Sequence, residues 1–329
     1  MTKTYKGSIS YEKLLKRMRL KNIKKQMLRE TYGISASTIH KINHNQPISL
    51  TSILCLCEIL DCQPGDILTY IPEDDILSQD YIKLLNEWQC VITVADLEQK
   101  LQNFRILFAY HSNKIENPDT TYHNTREIFE NGKVISYTGD LRTIYEIKNQ
   151  KECYEFLREK IIHREPITVA LIKKIHKILM EGCYDENRYQ KGERPGEFKK
   201  GDYVTGDGVG LLPSDVPEEM EFLCKEINGN YSGNAVLTAA SYFHLNFESI
   251  HPFADGNGRV GRTLMNYFLM IHQHPPAIFY EEDKEVYYMA LATFDKTENI
   301  DGFRKFLEEQ TIKTWAEKRR RTKNLELSN

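Results

Sequence analysis

His251-Pro252-Phe253-Ala254-Asp255-Gly256-Asn257-Gly258-Arg259-Val260-Gly261-Arg262 gathers an imidazole, a carboxylate, a glycine turn and two arginines into twelve residues. Gly256 and Gly258 lack bulk where a chain must turn tightly and bring N–H groups against a ligand. Behind the turn Val260, Leu264, Tyr267, Phe268 and Ile271 repeat at helical spacing, and ahead of it Val236, Ala240, Phe243, Phe247 and Ile250 do the same. The stretch therefore reads as the junction of two helices, in a chain that is mostly α-helical. A helix N-terminus favours anions through its free N–H groups and macrodipole, and Arg259 and Arg262, three apart, add bidentate donors for phosphate. Asp255 is a hard oxygen ligand of the kind Mg2+ takes, and His251, which titrates near neutrality, is the natural general base. The same residues satisfy G-x-G-x-x-G, but that dinucleotide fingerprint needs a strand before its glycines and a helical face stands there instead. A solvated basic loop would explain neither the Gly-Asn-Gly nor the lone Asp among donors.

Residues 251–262 resemble the Fic signature H-x-F-x-[DE]-G-N-G-R-x-x-R at every specified position. The resemblance implies a helical Fic core that moves AMP from ATP onto a Ser, Thr or Tyr hydroxyl of a target protein. By position, His251 would deprotonate that hydroxyl and Asp255 would hold Mg2+. Gly256, Asn257 and Gly258 would cradle the α- and β-phosphates, Arg259 would contact the β-phosphate and Arg262 the γ-phosphate, with Val260 and Gly261 inside the same ATP-binding turn. Phe253 would anchor the loop. A relative that transfers phosphate itself has Lys at the second motif glycine, so Gly258 favours AMP transfer. Such chemistry asks the protein for a base, a metal site and preorganised positive donors rather than a covalent intermediate.

Upstream, Ser112-Asn113-Lys114-Ile115-Glu116-Asn117 matches the family's inhibitory pattern [ST]-x-x-x-E-[GN], behind a helical stripe of Leu97, Leu101, Phe104 and Phe108. By itself a Glu ahead of Asn117-Pro118 is a solvated helix end. Beside the motif it implies an inhibitory segment, opened by Ser112, whose Glu116 pairs with Arg262, keeps the γ-phosphate from it and lowers resting activity; the glutamate would also position water for AMP removal. Between the two motifs, Pro195 to Gly208 carries turn residues where a hairpin bends and resembles the family's flap, which covers ATP and pairs with an extended target segment. Thr205, Gly206, Asp207 and Gly208 are its candidates near the nucleotide. Lys199 stands where Arg is commoner, which weakens a bidentate contact. Tyr287 and Tyr288 fall where relatives place aromatics beside adenine, although a tyrosine pair there is as often core. Asp295 occupies the place of a base-contacting Asn in some relatives, and a carboxylate can accept from the adenine amino group but not donate.

The N-terminal part differs in charge. Residues 1–45 hold eleven Lys or Arg against Glu12 and Glu30, whereas the whole chain of 329 residues has a formal net charge of -3. Leu14, Leu15 and Met18 suggest one helix, Ile23, Met27 and Leu28 a second, Ile39 and Ile42 a third after the Gly33 turn, and Ile53, Leu56, Cys57 and Leu60 a fourth. This pattern resembles a Cro/repressor-type helix-turn-helix domain. The resemblance puts Ser35, Ser37, Thr38, Lys41 and Asn43 at DNA, with Lys24 and Lys25 near the backbone, and leaves the facing of His40 open. Arg29 departs from the small residue common four before the turn glycine. Domains of this kind commonly act as dimers, which makes a homodimer possible, and the sequence leaves open whether protomers pair. A protein-binding helical module with a solvated basic face is the competing reading.

Together these observations divide the chain into residues 8–72, a helix-turn-helix domain; 73–86, an acidic linker; 87–315, a Fic domain with its inhibitory helix at about 110–117; and 316–329, a basic tail. With 40% hydrophobic content the chain can fill ordinary cores. No apolar run approaches a membrane span and no signal-peptide core opens the chain, so a cytoplasmic protein is expected. Seven cysteines without a C-x-x-C pair fit a reducing compartment and no zinc site. Two functional readings follow: an autoinhibited protein adenylyltransferase tethered to a DNA-binding domain, or a transcriptional regulator whose Fic domain senses nucleotide with little turnover.

Overall fold

A computed structural model describes residues 8–21, 23–43, 46–71, 77–134, 137–205 and 208–326. The chain divides into two units, Met1–Ser78 and Gln79–Asn329.

In the first unit β1 (Ser8–Ser10) leads into α1 (Glu12–Leu20), α2 (Lys25–Glu30), α3 (Ala36–Asn43) and α4 (Leu50–Leu60), and β2 (Thr69–Ile71) returns antiparallel to β1 with Ile9 opposite Tyr70. Leu14, Met18, Leu28, Ile42, Leu56 and Leu60 form the core, so the apolar spacing of all four expected helices is used inward. Gly33, at φ +67°, supplies the left-handed turn between α2 and α3. Ser35 then starts α3, its hydroxyl accepting the Thr38 N–H at 3.1 Å, and Ser49 caps α4 in the same way. Met27 is exposed rather than core. The two-strand clasp adds to the expected helical bundle; strands of three residues are too short to announce themselves by alternation.

The second unit runs α5 (Gln79–Trp88), α6 (Val94–Leu101), α7 (Phe104–Glu116), α8 (Tyr122–Asn131), α9 (Leu141–Ile162), α10 (Val169–Leu179) and α11 (Glu186–Gln190). A hairpin of β3 (Val204–Thr205) and β4 (Gly208–Val209) follows, pairing Val204 with Val209 and Thr205 with Gly208. Then come α12 (Val216–Ile227), α13 (Asn234–Ile250), α14 (Asn257–Ile271), α15 (Lys284–Thr297) and α16 (Asp301–Glu326). Every residue of α14 from Arg259 to Ile271 is buried, and α13, α10, α9 and α7 surround it. α14 is thus enclosed by its neighbours along its length, its polar residues included, and the glycine turn at its N-terminus is carried on a fixed helix.

Three expected boundaries change. Residues 79–86, expected as linker, are helical: Tyr81, Leu84 and Trp88 are buried, the Trp88 and Trp315 rings meet edge-on at 5.3 Å, and Tyr81 Oη lies 2.9 Å from His274 Nδ1. The acidic composition of residues 73–75 marked the boundary, but the periodicity of Tyr81, Leu84 and Trp88 outweighs it from Gln79 onward. The inhibitory helix starts at Phe104, because Phe104 and Phe108 stack on each other and Phe104 on Trp315. The tail is helical as far as Glu326, a continuation of α16. Residues 72–76, 206 and 207 lie outside the described ones, so Gly206 and Asp207 are not placed.

Trp88→Ala should cost about 3–5 kcal/mol of urea-measured stability, the usual loss for a large buried aromatic. An unchanged unfolding midpoint would return residues 79–88 to the linker.

Candidate active site

The turn is built by exchange of backbone bonds with one side chain. Phe253 N–H donates to Asn257 Oδ1 at 2.9 Å and Asn257 Nδ2 donates back to the Phe253 carbonyl at 2.8 Å. The Asn257 amide is thus engaged at both ends, and what this residue offers a phosphate is its N–H at the start of α14. Gly256 sits at φ +81°, and a Cβ there would come 2.4 Å from Met180 Sδ. Phe253 stacks flat on His176 at 3.7 Å. His176 Nδ1 accepts the Gly196 N–H at 2.7 Å, which leaves Nε2 to donate to the Asp255 carbonyl at 3.0 Å. Burial holds the His176 pKa at about 4, so this ring is a neutral strut.

His251 ends α13 in the left-handed region at φ +51°, a conformation disfavoured for a residue with a Cβ and found where function requires it. Burial first, and the Lys199 charge second, lower its pKa to about 4 against a hydrogen bond to the Glu248 backbone. The ring is therefore neutral at pH 7 and able to take a proton. Lys199 is 3% exposed and its Nζ has no hydrogen-bond partner. Its own N–H donates to the Pro252 carbonyl at 2.9 Å, which ties the flap to the motif. Burial lowers its pKa while Asp202 opposes. Gly210 is the seam: a Cβ there would lie 2.6 Å from His251 Cβ and 2.9 Å from Lys199 Nζ. A buried ammonium without a hydrogen-bond partner is costly, so this corner suits an anion.

Asp255 accepts from Arg142 at 2.9 Å, Arg188 at 3.2 Å and Arg259 at 3.4 Å. Burial works against its charge, but Arg259, Arg142 and Arg188 outweigh it and hold the pKa below the usual carboxylate range. Arg142 and Arg188 both use Oδ2, and Oδ1 makes only the long contact to Arg259, so one oxygen can serve a cation. Among the described residues no three His, Cys, Asp or Glu side chains group as a metal cage. One carboxylate plus substrate phosphates is the way Mg2+ is commonly bound, and these residues fit it.

Ser112 and Glu116, expected in the inhibitory pattern, both lie against Arg262. Arg262 is 1% exposed; its Nε donates to Ser112 Oγ at 3.1 Å, and its Nη2 donates to the Ser112 carbonyl at 2.9 Å and to Glu116 Oε1 at 2.8 Å. A Cβ on Gly258 would fall 2.4 Å from Glu116 Oε1, so the carboxylate lies across the turn. Asn117, the last residue of the inhibitory hexad, donates to Glu146 at 2.9 Å. Glu146 also pairs with Arg142 at 2.9 Å and Arg259 at 2.8 Å. Both motif arginines are thus tied to the end of α7, one directly and one through Glu146.

Other expected residues separate. Val260 is a core side chain and Gly261 lies against α13, where a Cβ would meet Glu248 Oε1 at 2.3 Å, so neither faces a ligand with a side chain. Tyr287 is buried, with Oη 3.0 Å from His244 Nε2 and its ring 5.9 Å below the Arg262 guanidinium, whereas Tyr288 is exposed. Asp295 is exposed. Of the flap residues Thr205 and Gly208 only the paired backbone is described. On α3, Ser37, His40 and Lys41 are exposed, while the Ser35 and Thr38 hydroxyls bond each other at 2.9 Å in the helix cap. The Asn43 side chain lies outside the described residues.

Arg142, Glu146, Arg188, His176 and Glu248 escaped the sequence reading. Arg142 and Glu146 stand four apart on a helix, which normally marks an exposed pair. Nothing local ties Arg142 to Asp255, 113 residues away. Glu248, three before the motif histidine, has its pKa pushed up to about 8 by burial, with Arg262 opposing and Glu116 and Asp295 adding.

A helical bundle that presents a neutral histidine, an anion-ready turn and an arginine held by a carboxylate defines a domain of the Fic kind. Residues 166–269 match the Fic/DOC family and residues 13–73 match the Cro/C1-type HTH DNA-binding domain, so the chain joins a Fic domain to a helix-turn-helix domain. Over 237 residues, 72% of this chain, it is 27% identical to a protein named protein adenylyltransferase Fic from Drosophila persimilis, of which the match spans 44%. The chain spans half or less of the curated relatives it matches. A solved Fic-domain signaling protein from Bacteroides thetaiotaomicron shares the fold at TM-score 0.61 and 23% identity, covering 72% of this chain and 94% of that one. A Fic family protein from Desulfovibrio desulfuricans aligns at TM-score 0.57 and 25% identity over 74% of each chain. Among the described residues no helix is long and apolar enough to cross a membrane, and all seven cysteines are free thiols.

His176, His251 and His274 have folded pKa values of about 4 and His244 of about 3, all lowered by burial from 6.5. Groups whose folded pKa lies below the unfolded one stabilise above the unfolded value and lose that contribution as pH falls through the window, each by about 1.4 kcal/mol per unit of separation. The unfolding temperature should therefore fall steeply between pH 6.5 and 4.5; a flat profile would mean that these rings are not buried neutral.

Proposed function

We propose that the chain is an autoinhibited protein adenylyltransferase that transfers AMP from ATP to a Ser, Thr or Tyr hydroxyl of a target protein or of itself. One observation carries this reading: a buried arginine at the phosphate end of the turn is neutralised by Glu116, while the histidine at the other end is already neutral. His251 takes the proton of the attacking hydroxyl, the oxygen bonds to the α-phosphorus, and the bond to the β-phosphate breaks to release pyrophosphate. The N–H groups at the start of α14 and Arg259 hold the phosphates, and Arg262 receives the γ-phosphate once Glu116 leaves. Mg2+, held by Asp255 when bound, would neutralise phosphate charge. Lys199, buried and unpaired beside His251, supplies positive charge where the phosphates pass under the flap. A water held by Glu116 would serve AMP removal. The match to proteins named adenylyltransferases supports the reaction class.

The N-terminal domain we assign to DNA, with Ser37 and Lys41 on the exposed face of α3 and the basic surplus of residues 1–45 supplying phosphate contacts. A dimer on an inverted repeat and a cytoplasmic location accord with this assignment and with the free thiols.

With α-labelled ATP and Mg2+, wild-type protein should label itself or a partner weakly and Glu116→Gly about tenfold or more faster. Adding His251→Ala should remove about two to four decades of rate. Failure of Glu116→Gly to label with any nucleoside triphosphate would end the enzyme reading. In that background Lys199→Gln should raise the pH at which kcat/KM loses half its value on the acid side, because a cation that lowers the His251 pKa is gone. DNA affinity of the full chain should drop steeply with salt; a salt-insensitive complex would favour protein docking.

A further inference from the structure

We propose that a cleft beside the inhibitory helix binds a small carboxylate of about the size of acetate and thereby holds α7 in its docked position. The regulatory half of this proposal rests on the AMP-transfer reading, and the binding half does not. The cleft has a volume of about 40 Å³ and lies between α7, α9 and α14. Four of its lining side chains carry a buried polar atom without a partner: Arg105 Nε, Gln150 Nε2, Tyr154 Oη and Thr263 Oγ1. Gln150 is 4% exposed and Thr263 is 7% exposed. Buried polar atoms are nearly always paired, so four orphans around one space point to something that fills it.

The donor chemistry selects the occupant. All four atoms can donate, and Arg105 Nε and Gln150 Nε2 can only donate. Burial pushes the Tyr154 pKa up to about 12, so its hydroxyl keeps its proton at neutral pH. Among the described residues Arg105 has no ion pair; its guanidinium stands 5.7 Å from the Tyr154 ring. A set of unpartnered donors lining one cleft and including an arginine suits an anionic, planar acceptor, and a carboxylate matches the guanidinium fork. Phe104 and Phe108 complete the wall, which suits a methyl group rather than a second charge. One water needs about 10–15 Å³ of such space, so the cleft holds about three waters or a molecule of about four heavy atoms.

The position of the cleft gives the ligand its effect. Arg105, Ser112 and Glu116 fall within about 40° of one another around α7, so the cleft arginine and the contacts to Arg262 occupy one face of that helix. Thr263 directly follows Arg262 on α14. A carboxylate bonded to Arg105 on α7 and to Gln150, Tyr154 and Thr263 on α9 and α14 bridges the helices in their docked arrangement. It therefore binds that arrangement better than one in which α7 has withdrawn, and by linkage it favours the locked state.

The test titrates the full chain with sodium acetate against sodium chloride at equal ionic strength, read by ligand-observed NMR and thermal unfolding, with benzoate as an oversized probe. Saturable acetate binding, a raised unfolding temperature and no saturable benzoate binding are expected. Arg105→Met and Gln150→Leu should each weaken acetate binding, together by about tenfold or more, while unfolding stays cooperative. Arg105 is half-exposed, so its variant remains informative if Gln150→Leu is poorly folded. Acetate should slow self-labelling of wild type by α-labelled ATP and leave Glu116→Gly unaffected. Acetate indistinguishable from chloride, or binding that ignores both substitutions, overturns the site. Binding through these residues without slower labelling overturns the regulatory half. If neither wild type nor Glu116→Gly labels, AMP transfer itself fails while the NMR titration still decides the site.

Discussion

The Arg262 guanidinium is the group around which the Fic domain must be organised, because it is buried in a helix that is itself buried. Its charge requires an anion at all times. In this structure the anion is Glu116, at 2.8 Å, assisted by the Ser112 hydroxyl and carbonyl. In the proposed reaction a phosphate would approach Arg262 only as the carboxylate gave way, and the carboxylate would return only when the phosphate left. The exchange keeps charge balanced throughout, so the transition between resting and nucleotide-loaded forms need not expose a bare cation.

What moves in that exchange follows from packing. α14 is enclosed by α7, α9, α10 and α13 and cannot shift without opening the core. The turn before it is closed by the Asn257 amide and braced by the His176 ring against Phe253. α7, by contrast, ends at Asn117-Pro118, and its C-terminal turn is tied down mainly by polar contacts, Glu116 to Arg262 and Asn117 to Glu146. Its N-terminal turn is anchored by apolar stacking of Phe104 on Phe108 and Trp315. Polar contacts can be traded for contacts to a nucleotide with little net cost, whereas aromatic stacking has no equivalent replacement. In the proposed release the polar contacts of the C-terminal turn would yield first, and withdrawal of α7 would have to break the aromatic contacts of its N-terminal turn as well.

The helical class, the two units and the order of the motif helices were legible because apolar residues recur at three and four over long segments, and because Gly33 and Gly256 stand where left-handed turns are required. The partnership of Ser112 and Glu116 with Arg262 was legible only through the resemblance, since 146 residues separate the ion pair. Physical reading of composition failed at Gln79, where an acidic boundary runs straight into a core helix, and at Ser8–Ser10 with Thr69–Ile71, where short strands carry no period. The resemblance takes Tyr287 and Tyr288 together, but adjacent helix positions differ by about 100°, so Tyr287 faces Arg262 and Tyr288 is exposed. Arg142, Glu146 and Arg188 could not be found, because their significance lies in meeting Asp255 and Arg259 in space.

The neutral groups around Arg262 complete the account of why one carboxylate controls it. Burial keeps His244 unprotonated, keeps the Tyr287 hydroxyl protonated and raises Glu248 to about 8, so none of the three contributes a full charge at pH 7. Had Glu248 been ionised, Arg262 would possess a permanent counter-charge on α13 and would neither need Glu116 at rest nor attract a γ-phosphate strongly. Gly261 contributes to this outcome, because its missing Cβ lets Glu248 approach α14 so closely that its Oε1 is left without a hydrogen-bond partner. A carboxyl so desolvated holds its proton. With the surrounding groups discharged, Glu116 is the carboxylate that pairs with Arg262 in this structure.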